Sequence, residues 1–256
     1  MYNELFSIGP VTIYGYGLMI GLGIVAALLL GDFRAKKKEL NGDFIYGLTL
    51  FTVVVGFLCA RILFVLTDLK GFVQNPMEYI MGNGFVVFGG ILGGILAIFL
   101  YCKWKKADTW AYIDLMIPSV ALAQGFGRIG CFLAGCCYGR ETNSIIGVVF
   151  HHSAYAPNGV KLIPTQLIMA AGDFIITGIL IWYAGKTAVK GRVGALYLIL
   201  YSVGRFIVEF FRNDERGAVG VLSTSQFIGI FMLAAGIVLF YMLKKRTPET
   251  KEEISE

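Results

Sequence analysis

The amino-acid sequence predicts an all-α integral membrane protein with seven transmembrane helices, its N-terminus outside and its C-terminus in the cytoplasm. Of its 256 residues, 57% are hydrophobic and only 15% are charged, whereas soluble domains average about 25% charged residues. Seven separate apolar windows approach the roughly 20 residues that a helix needs to cross a bilayer. Lysines and arginines concentrate in alternate loops, which is typical of a chain that crosses a membrane repeatedly.

Each predicted helix is an apolar window bounded by a polar connection. The first window has no basic segment before it and no small-residue cleavage site after it, so we interpret it as a retained helix rather than a signal peptide. We find no repeat of fixed period, and we expect one membrane domain over residues 1–246 and a polar cytoplasmic tail over 247–256. The windows are, in order, about 12–31, 44–66, 84–102, 111–133, 165–184, 193–211 and 225–243.

The orientation follows from the positive charges in the loops. Of 22 lysines and arginines, fourteen fall in the first, third and fifth loops and the tail, and five fall in the opposite loops. The basic side is expected to be cytoplasmic. The net charge of +5 is thus attributed to topology and to contact with anionic membrane lipids, and not to nucleic-acid binding. The longest connections, 67–83 and 134–164, lie on the predicted outer side, where we expect the function.

Three arginines, Arg61, Arg128 and Arg205, fall inside predicted helices. An arginine near the centre of a helix costs about 2.5–3.5 kcal/mol on insertion scales, so such residues are usually retained for a function. The alternative is that they extend to an interface or lock helices together. Arg205 and Glu209 are four residues apart and can pair on one helix face, whereas Arg128 has no acid near it in the sequence.

Arginines that converge at membrane depth suit a lipid phosphate. A guanidinium keeps its charge and matches phosphate oxygens with two parallel hydrogen bonds. Arg128 lies in the glycine-rich segment GFGRIGCFLAGCCYGRET, residues 125–142. Its glycines allow close approach of a ligand, although ordinary helix packing would use them equally well.

The same segment carries a resemblance to a known family. GFGRIGCFLAGCCYGR resembles the GRxGNFxNGExxGR signature of the bacterial prolipoprotein diacylglyceryl transferases, and RFIVEFFRNDERG resembles their RFxxEFxR element. Further matches are the opening FSIGPVTIYGYGLMIGLG, VGFLCARILFVLTD, FGGILGG, YIDLMIPS and PTQL. The resemblance covers about residues 6–243 and implies the same seven helices and orientation.

The resemblance implies a transferase that moves the diacylglyceryl group of phosphatidylglycerol to the lipobox cysteine of a preprolipoprotein signal peptide and releases glycerol 1-phosphate. This reaction would take place at the outer face of the bacterial cytoplasmic membrane, with no metal or soluble cofactor. Arg128 and Arg205 would bind the phosphate and stabilise the leaving group, and Glu209 would orient Arg205. The implied substrate-binding residues are Tyr16, Asp114, Gly127, Gly130, Gly139, Arg140, Gln166, Tyr201 and Arg212.

The sequence departs from the family pattern at polar positions. Phe88 of VVFGG stands where the family has the histidine of SFHGG. Cys131 replaces an asparagine and Cys136 a glutamate. The PTQL element has Ile163, Ile168 and Met169 in place of a leading histidine and a following Tyr-Glu. The general base is therefore open. His151 and His152, or Glu209, are candidate surrogates, and the alternative for the histidines is a solvated loop pair without a task.

The five cysteines divide into two groups. Cys59 and Cys102 lie in apolar helices and are interpreted as packing residues. Cys131, Cys136 and Cys137 lie near the outer end of the fourth helix, with a spacing unlike the CxxC pairs of structural zinc sites. The sequence leaves reduced packing cysteines, a disulfide from Cys131, a metal site that includes the histidines, and a thiol relay open.

Three classes of function follow. The first is the lipoprotein-modifying transferase, or a paralogue on the same scaffold with a different acceptor or lipid donor. The second is a lipid or small-molecule transporter, because embedded charges also mark transport pathways; the lack of repeats and of paired broken helices argues against it. The third is a membrane thiol-redox protein, which lacks the expected CxxC.

Overall fold

A computed structural model of the chain describes residues 4–8, 11–82, 84–214 and 217–244. Within these ranges the chain is mostly helical, with three two-stranded antiparallel sheets. The predicted polar tail, residues 247–256, lies outside the described residues. The elements are β1 (Glu4–Ile8), β2 (Val11–Tyr14), α1 (Gly15–Lys37), α2 (Gly42–Thr67), α3 (Leu69–Gln74), α4 (Pro76–Met81), α5 (Val87–Trp104), α6 (Thr109–Ala134), β3 (Val148–Val149), β4 (Lys161–Leu162), α7 (Thr165–Ala184), α8 (Arg192–Glu209), β5 (Ala218–Val219), β6 (Leu222–Ser223) and α9 (Thr224–Lys244).

Six helices in the described part of the chain are long and apolar enough to cross a membrane: α1, α2, α5, α6, α7 and α9. The prediction of a multi-pass, helical membrane protein is confirmed. The remaining window, 193–211, corresponds to α8, which has 18 residues but carries three charged side chains, Arg192, Arg205 and Glu209. Each of the other six long helices contains an 18-residue stretch with at most two charged side chains, whereas α8 has three in its 18 residues.

The connections contain structure that the apolar windows did not predict. The loop 67–83 folds into α3 and α4. Asp68 caps α3 by accepting a hydrogen bond from the Gly71 amide at 3.0 Å, and Pro76 begins α4, where its missing N–H costs nothing. In the loop 134–164, β3 and β4 pair Val148 with Leu162. Short hairpins therefore order the ends of the long helices.

The chain divides into two compact units, one formed by residues 31–113 and the other by residues 1–30 and 114–256. In the first unit, α2 packs on α5 at glycines: a Cβ on Gly89 would lie 2.4 Å from the Cys59 carbonyl oxygen. Arg61 donates to the Gly84 carbonyl and lies over the ring of Phe85 at 5.0 Å. That the whole chain forms one membrane domain stays a prediction.

The second unit contains the candidate site and has a core of closely packed helices. Ala121 of α6, Leu180 and Ala184 of α7, and Val193 and Tyr197 of α8 form one buried cluster. On the far side of α8, α9 approaches closely at Gly236, where a Cβ would lie 3.0 Å from Leu198 and Ile199. This packing fixes α6, α7 and α8 relative to one another, and the Tyr197 hydroxyl adds a hydrogen bond to Gln124 Oε1 of α6 at 2.7 Å.

Asp68 gives the loop 67–83 of the first unit an acid-sensitive contact. Hydrogen bonds from the Tyr79 hydroxyl and the Gly71 amide hold the pKa of Asp68 below its usual value. A carboxylate with a lowered pKa in the folded state stabilises the fold above its unfolded pKa of about 3.9, and this contribution disappears as the pH falls through the folded value. We expect hydrogen exchange at the Gly71 amide to accelerate below pH about 4 relative to intrinsic rates. In Asp68→Asn, this pH dependence should be absent.

Candidate functional site

Arg128 is a half-buried cation on α6 that is not neutralised by a direct contact. Among the described residues, its guanidinium forms neither a salt bridge nor a hydrogen bond. It interacts electrostatically with Tyr201, Cys131, Cys137 and Asp173. A charge held inside a helix bundle with free donors is well suited to bind an anion from a ligand.

Arg205 on α8 is fixed by direct partners. Its Nη1 lies 2.7 Å from Glu209 Oε2 in a salt bridge with little solvent exposure, and its Nη2 donates to Ser225 Oγ of α9 at 2.9 Å. The prediction that Arg205 and Glu209 pair on one helix face is confirmed. The salt bridge and the hydrogen bond to Ser225 hold the guanidinium in one orientation.

Arg205 is close enough to Arg212 and to Arg128 to interact with each of them electrostatically. Beside Arg205 lies a small cavity of about 50 Å³, whose lining includes Asp173 and Tyr201. Tyr201 also stacks on Tyr197, with ring centroids 5.6 Å apart. The structure thus brings together the predicted residues Arg128, Arg205, Arg212, Glu209 and Tyr201 as one cationic cluster with tyrosine at its edge.

Asp173 on α7 was missed by the sequence reasoning. It is 4% exposed, and its Oδ2 has no hydrogen-bond partner among the described residues. Asp173 interacts electrostatically with Arg128 and Arg205, so it offsets part of the clustered positive charge. The signal was present in the sequence, since Asp173 is a lone acid within the apolar segment LIMAAGDFIITGIL.

Arg212 and Gly139 form the junction between the end of α8 and the loop after α6. Arg212 is 7% exposed and donates to both carboxylate oxygens of Asp214, at 3.0 and 2.7 Å. Gly139 pairs with Arg212 in an isolated β-bridge, and a Cβ on Gly139 would lie 2.7 Å from the Ile163 carbonyl oxygen. Arg140 is exposed, and its backbone amide donates to the Phe211 carbonyl at 2.9 Å. These residues connect the elements that carry the cluster.

The glycines of α6 differ in their surroundings. A Cβ on Gly130 would lie 3.1 Å from the ring of Tyr16, so this glycine allows α1 to pack closely against α6. Tyr16 in turn interacts electrostatically with Cys131 and Arg128. A Cβ on Gly127 would meet nothing within 4 Å. Gly130 therefore serves helix packing, whereas the surface of α6 at Gly127 is open.

Three of the cysteines converge at the end of α6. The sulfur atoms of Cys131, Cys136 and Cys137 all lie within 4.8 Å of one another, and no other ligand-type side chain of the described residues joins them. All three are free thiols and half-buried. The Cys136 thiol donates to the Cys131 carbonyl at 3.7 Å, and the guanidinium groups of Arg212 and Arg128 interact electrostatically with Cys137.

The first turn of α7 holds the backbone of this thiol cluster. Gln166 Nε2 donates to the Cys136 carbonyl at 2.6 Å, and Thr165 Oγ1 donates to the Cys137 carbonyl at 2.7 Å. Gln166 is 1% exposed, and its Oε1 has no hydrogen-bond partner among the described residues. Gln166 thus supports the site through the loop backbone.

The candidate surrogate histidines are not part of the thiol cluster, and Phe88 belongs to the other compact unit. His151 and His152 are exposed in a loop that packs on Gly135 through Phe150 and Ser153. Phe88 is the second residue of α5 in the unit of residues 31–113, and its side chain is 46% exposed.

Asp114 lies at the other end of α6 from Arg128. Fourteen residues separate the two, which corresponds to about 21 Å along the helix. The Asp114 carboxylate accepts hydrogen bonds from the Gly191 amide at 2.6 Å and the Gly194 amide at 2.9 Å. Because Gly191 offers no side-chain cap, Asp114 supplies the acceptors that the first turn of α8 requires.

We expect Asp114→Ala to destabilise the protein by about 2–4 kcal/mol, because two buried amides would lose a charged acceptor. Thermal unfolding in detergent measures this loss. The fraction that stays folded should retain the parent KM for lipid substrate, since Asp114 is far from Arg128 along α6. A raised KM at unchanged stability would contradict this and place Asp114 in the substrate site.

These observations define a class: a multi-pass membrane protein with a cationic, tyrosine-edged site set among its helices. The sequence profile of the family "Prolipoprotein diacylglyceryl transferase" matches residues 3–242, and the chain belongs to this family. It is 49% identical over 242 residues to the phosphatidylglycerol–prolipoprotein diacylglyceryl transferase of Clostridium tetani, covering 94% of this chain and 97% of that protein.

Two relatives from Clostridium perfringens are also similar. The chain is 48% identical over 254 residues to the protein named phosphatidylglycerol–prolipoprotein diacylglyceryl transferase 2, covering 98% of each. It is 34% identical over 255 residues to the protein named transferase 1, covering 97% of each. Of these two proteins of one organism, this chain is more similar to transferase 2.

Proposed function

We propose that this chain transfers the diacylglyceryl group of phosphatidylglycerol to the lipobox cysteine thiol of preprolipoproteins. The observation that carries the proposal is that Arg128 and Arg205 lie within electrostatic reach of each other and of Asp173 in a chain of the prolipoprotein diacylglyceryl transferase family. The names of the relatives supply the lipid donor and the protein acceptor. A signal peptide with its lipobox would therefore enter from the membrane.

The reaction places specific demands on the site. The lipobox sulfur forms a bond to the terminal glycerol carbon of the diacylglyceryl group, while the bond from that carbon to the phosphate oxygen breaks. Glycerol 1-phosphate leaves with the electron pair. Arg128 would bind the phosphate with its free donors, and Arg205, oriented by Glu209, would stabilise the growing negative charge. Fixed donors aimed at a developing charge supply the largest single contribution in many enzymes.

The open space at Gly127 suits the donor lipid. Tyr201 lines the cavity beside Arg205, and the open surface of α6 at Gly127 would leave room for part of the lipid. Tyr16, seated over Gly130, would border the same space from α1. We assign Gly139, Arg140, Gln166 and Arg212 to the support of this site through the backbone contacts described above.

We further propose that α8 is a seventh transmembrane helix. Its 18 residues span about 27 Å, two of its three charges form the Arg205–Glu209 pair, and the third, Arg192, lies over the ring of Phe240 at 4.4 Å. Seven spans would put the two termini on opposite sides of the membrane. With the basic loops in the cytoplasm, the N-terminus would lie outside and the cluster near the outer face of the cytoplasmic membrane. Reaction of single introduced cysteines with a membrane-impermeant thiol reagent tests this topology.

The direct test uses the full-length protein reconstituted in vesicles that contain phosphatidylglycerol. A lipobox peptide is added, and mass spectrometry follows the diacylglyceryl thioether while an enzymatic assay follows glycerol 1-phosphate. We expect both products in equal amounts. Vesicles of phosphatidylethanolamine alone and a peptide with serine for the lipobox cysteine are the controls, and both should give no product. A product-free reaction with phosphatidylglycerol would reject the proposal.

A further inference from the structure

The thiol cluster of Cys131, Cys136 and Cys137 has the donor set of a metal site. Thiolates are soft ligands that select Zn²⁺ and Cu⁺ among biological cations. A tetrahedral zinc with Zn–S bonds of about 2.3 Å holds its sulfurs about 3.8 Å apart. The three sulfurs already lie within 4.8 Å of one another, so small side-chain rotations would bring them to that spacing.

The backbone at the end of α6 is shaped to make this convergence. Gly135 with φ +77° ends the helix, and Cys137 adopts φ +61°, a left-handed conformation that a residue with a Cβ rarely takes. The turn brings the Cys136 amide to donate to the Cys131 carbonyl at 3.1 Å. Gln166 and Thr165 hold the same loop from α7. The left-handed conformation of Cys137 is strained, and the contacts from α7 hold it in place. Such strain is typical of functional sites, and here it accompanies the convergence of three thiols.

The charges around the cluster fit a metal bound to three thiolates. Three thiolates and one divalent cation carry a net negative charge. Arg128 lies three residues before Cys131 on α6, on the same helix face. Its guanidinium has no direct partner among the described residues, so it would offset part of that charge. Arg212 is engaged by Asp214.

We propose that Cys131, Cys136 and Cys137 bind a Zn²⁺-type cation whose open fourth position accepts the thiol of the protein substrate. Among the described residues, no other His, Cys, Asp or Glu offers a fourth ligand atom there. Catalytic zinc sites have this form, with three protein ligands and one position for water or substrate. The inference rests on the proposed function, since it assigns the acceptor thiol of that reaction to this position.

The step is balanced without a redox change. The substrate thiol replaces water on the cation and gives its proton to solvent, because a thiol that coordinates zinc is deprotonated. The bound sulfur then attacks the glycerol carbon, the carbon–oxygen bond breaks, and the electron pair leaves on the phosphate held by Arg128. The thioether product is a neutral, weaker ligand and dissociates. The cation would thus replace a general base in a chain with Phe88 at the family's histidine position.

The test measures metal and spectrum as well as activity. Full-length protein is purified under reducing, oxygen-free conditions, loaded with Zn²⁺ and desalted. We expect about one zinc per chain in the parent and in Cys59→Ser, which removes a cysteine outside the cluster, and none above background in the variant C131S/C136S/C137S. With Co²⁺ in place of zinc, thiolate-to-cobalt absorption bands should appear. They should shift when the lipobox peptide is added, but not when its serine counterpart is added.

The outcomes separate this inference from the proposed function. Removal of zinc by a chelator should lower the transfer rate about 100-fold, as expected for loss of thiol activation, and added Zn²⁺ should restore it. Cys137→Ser, checked for folding by thermal unfolding, should show the same loss of metal. Four results would each overturn the inference and leave the transferase proposal standing. They are transfer at the parent rate without zinc, bound metal in the triple variant, a cobalt spectrum that does not respond to the peptide thiol, and a disulfide within the cluster. A peptide-dependent cobalt spectrum without thioether product would reject the proposed function instead.

Discussion

Arg128→Lys is expected to lower the rate of diacylglyceryl transfer about 100-fold, and Arg128→Ala about 1000-fold, with smaller changes in KM for phosphatidylglycerol. The guanidinium of Arg128 has no direct partner among the described residues, so its donors are available to the phosphate. Lysine keeps the charge but loses the paired donors that match two phosphate oxygens. The initial rate of thioether formation in phosphatidylglycerol vesicles measures the effect.

Arg61→Lys is the matched control for this prediction. Arg61 is also an arginine within a long helix, but its side chain is engaged by the Gly84 carbonyl and the rings of Phe64 and Phe85. We expect Arg61→Lys to lower the unfolding temperature and to leave the transfer rate of the folded protein close to the parent value. If Arg128→Lys also kept the parent rate, the assignment of Arg128 to the phosphate would be wrong.

The long helices could be predicted from the sequence because an apolar run of about 20 residues in a membrane protein forms a membrane-spanning helix. The fifth window, 165–184, coincides with α7. The sixth window extends to residue 211, beyond the end of α8 at Glu209, because apolar Phe210 and Phe211 continue the run while Arg212 turns to Asp214. Helices α3 and α4 have six residues each, too few for a helical period to show.

The site was predictable where it depends on spacing along one helix, as for Arg205 and Glu209. The convergence of Cys131, Cys136 and Cys137 was not. Residues five and six positions apart lie on different faces of a continuous helix, and only the helix end at Ala134 and the positive φ of Gly135 and Cys137 bring their sulfurs together. Asp173 shows the complementary case, in which the sequence signal was present but its partners on α6 and α8 became evident only in three dimensions.

Glu209→Gln is expected to destabilise the protein by about 3–5 kcal/mol, because it leaves the buried Arg205 guanidinium without its counter-charge. Thermal unfolding should register a fall of roughly 10 °C. The double variant R205M/E209M removes both charges together, so it should regain most of this stability while transfer stays at least about 100-fold below the parent. Asp32→Asn is the matched control: Asp32 pairs with Lys36 at the same spacing and the same 2.7 Å distance, but the lysine side chain is 72% exposed.

The Glu209 variants distinguish a residue that orients Arg205 from a residue that acts as the general base. An exposed pair contributes about 0–1 kcal/mol, so Asp32→Asn should barely change the unfolding temperature, and the difference between the two single variants measures the burial of the Arg205–Glu209 pair. If Glu209 acts by holding Arg205, then Glu209→Gln should lower the transfer rate at every pH by a similar factor. If Glu209→Gln instead kept its stability and lost the acidic limb of the pH–rate profile, Glu209 would be the general base, and the role assigned to it as the residue that positions Arg205 would be withdrawn.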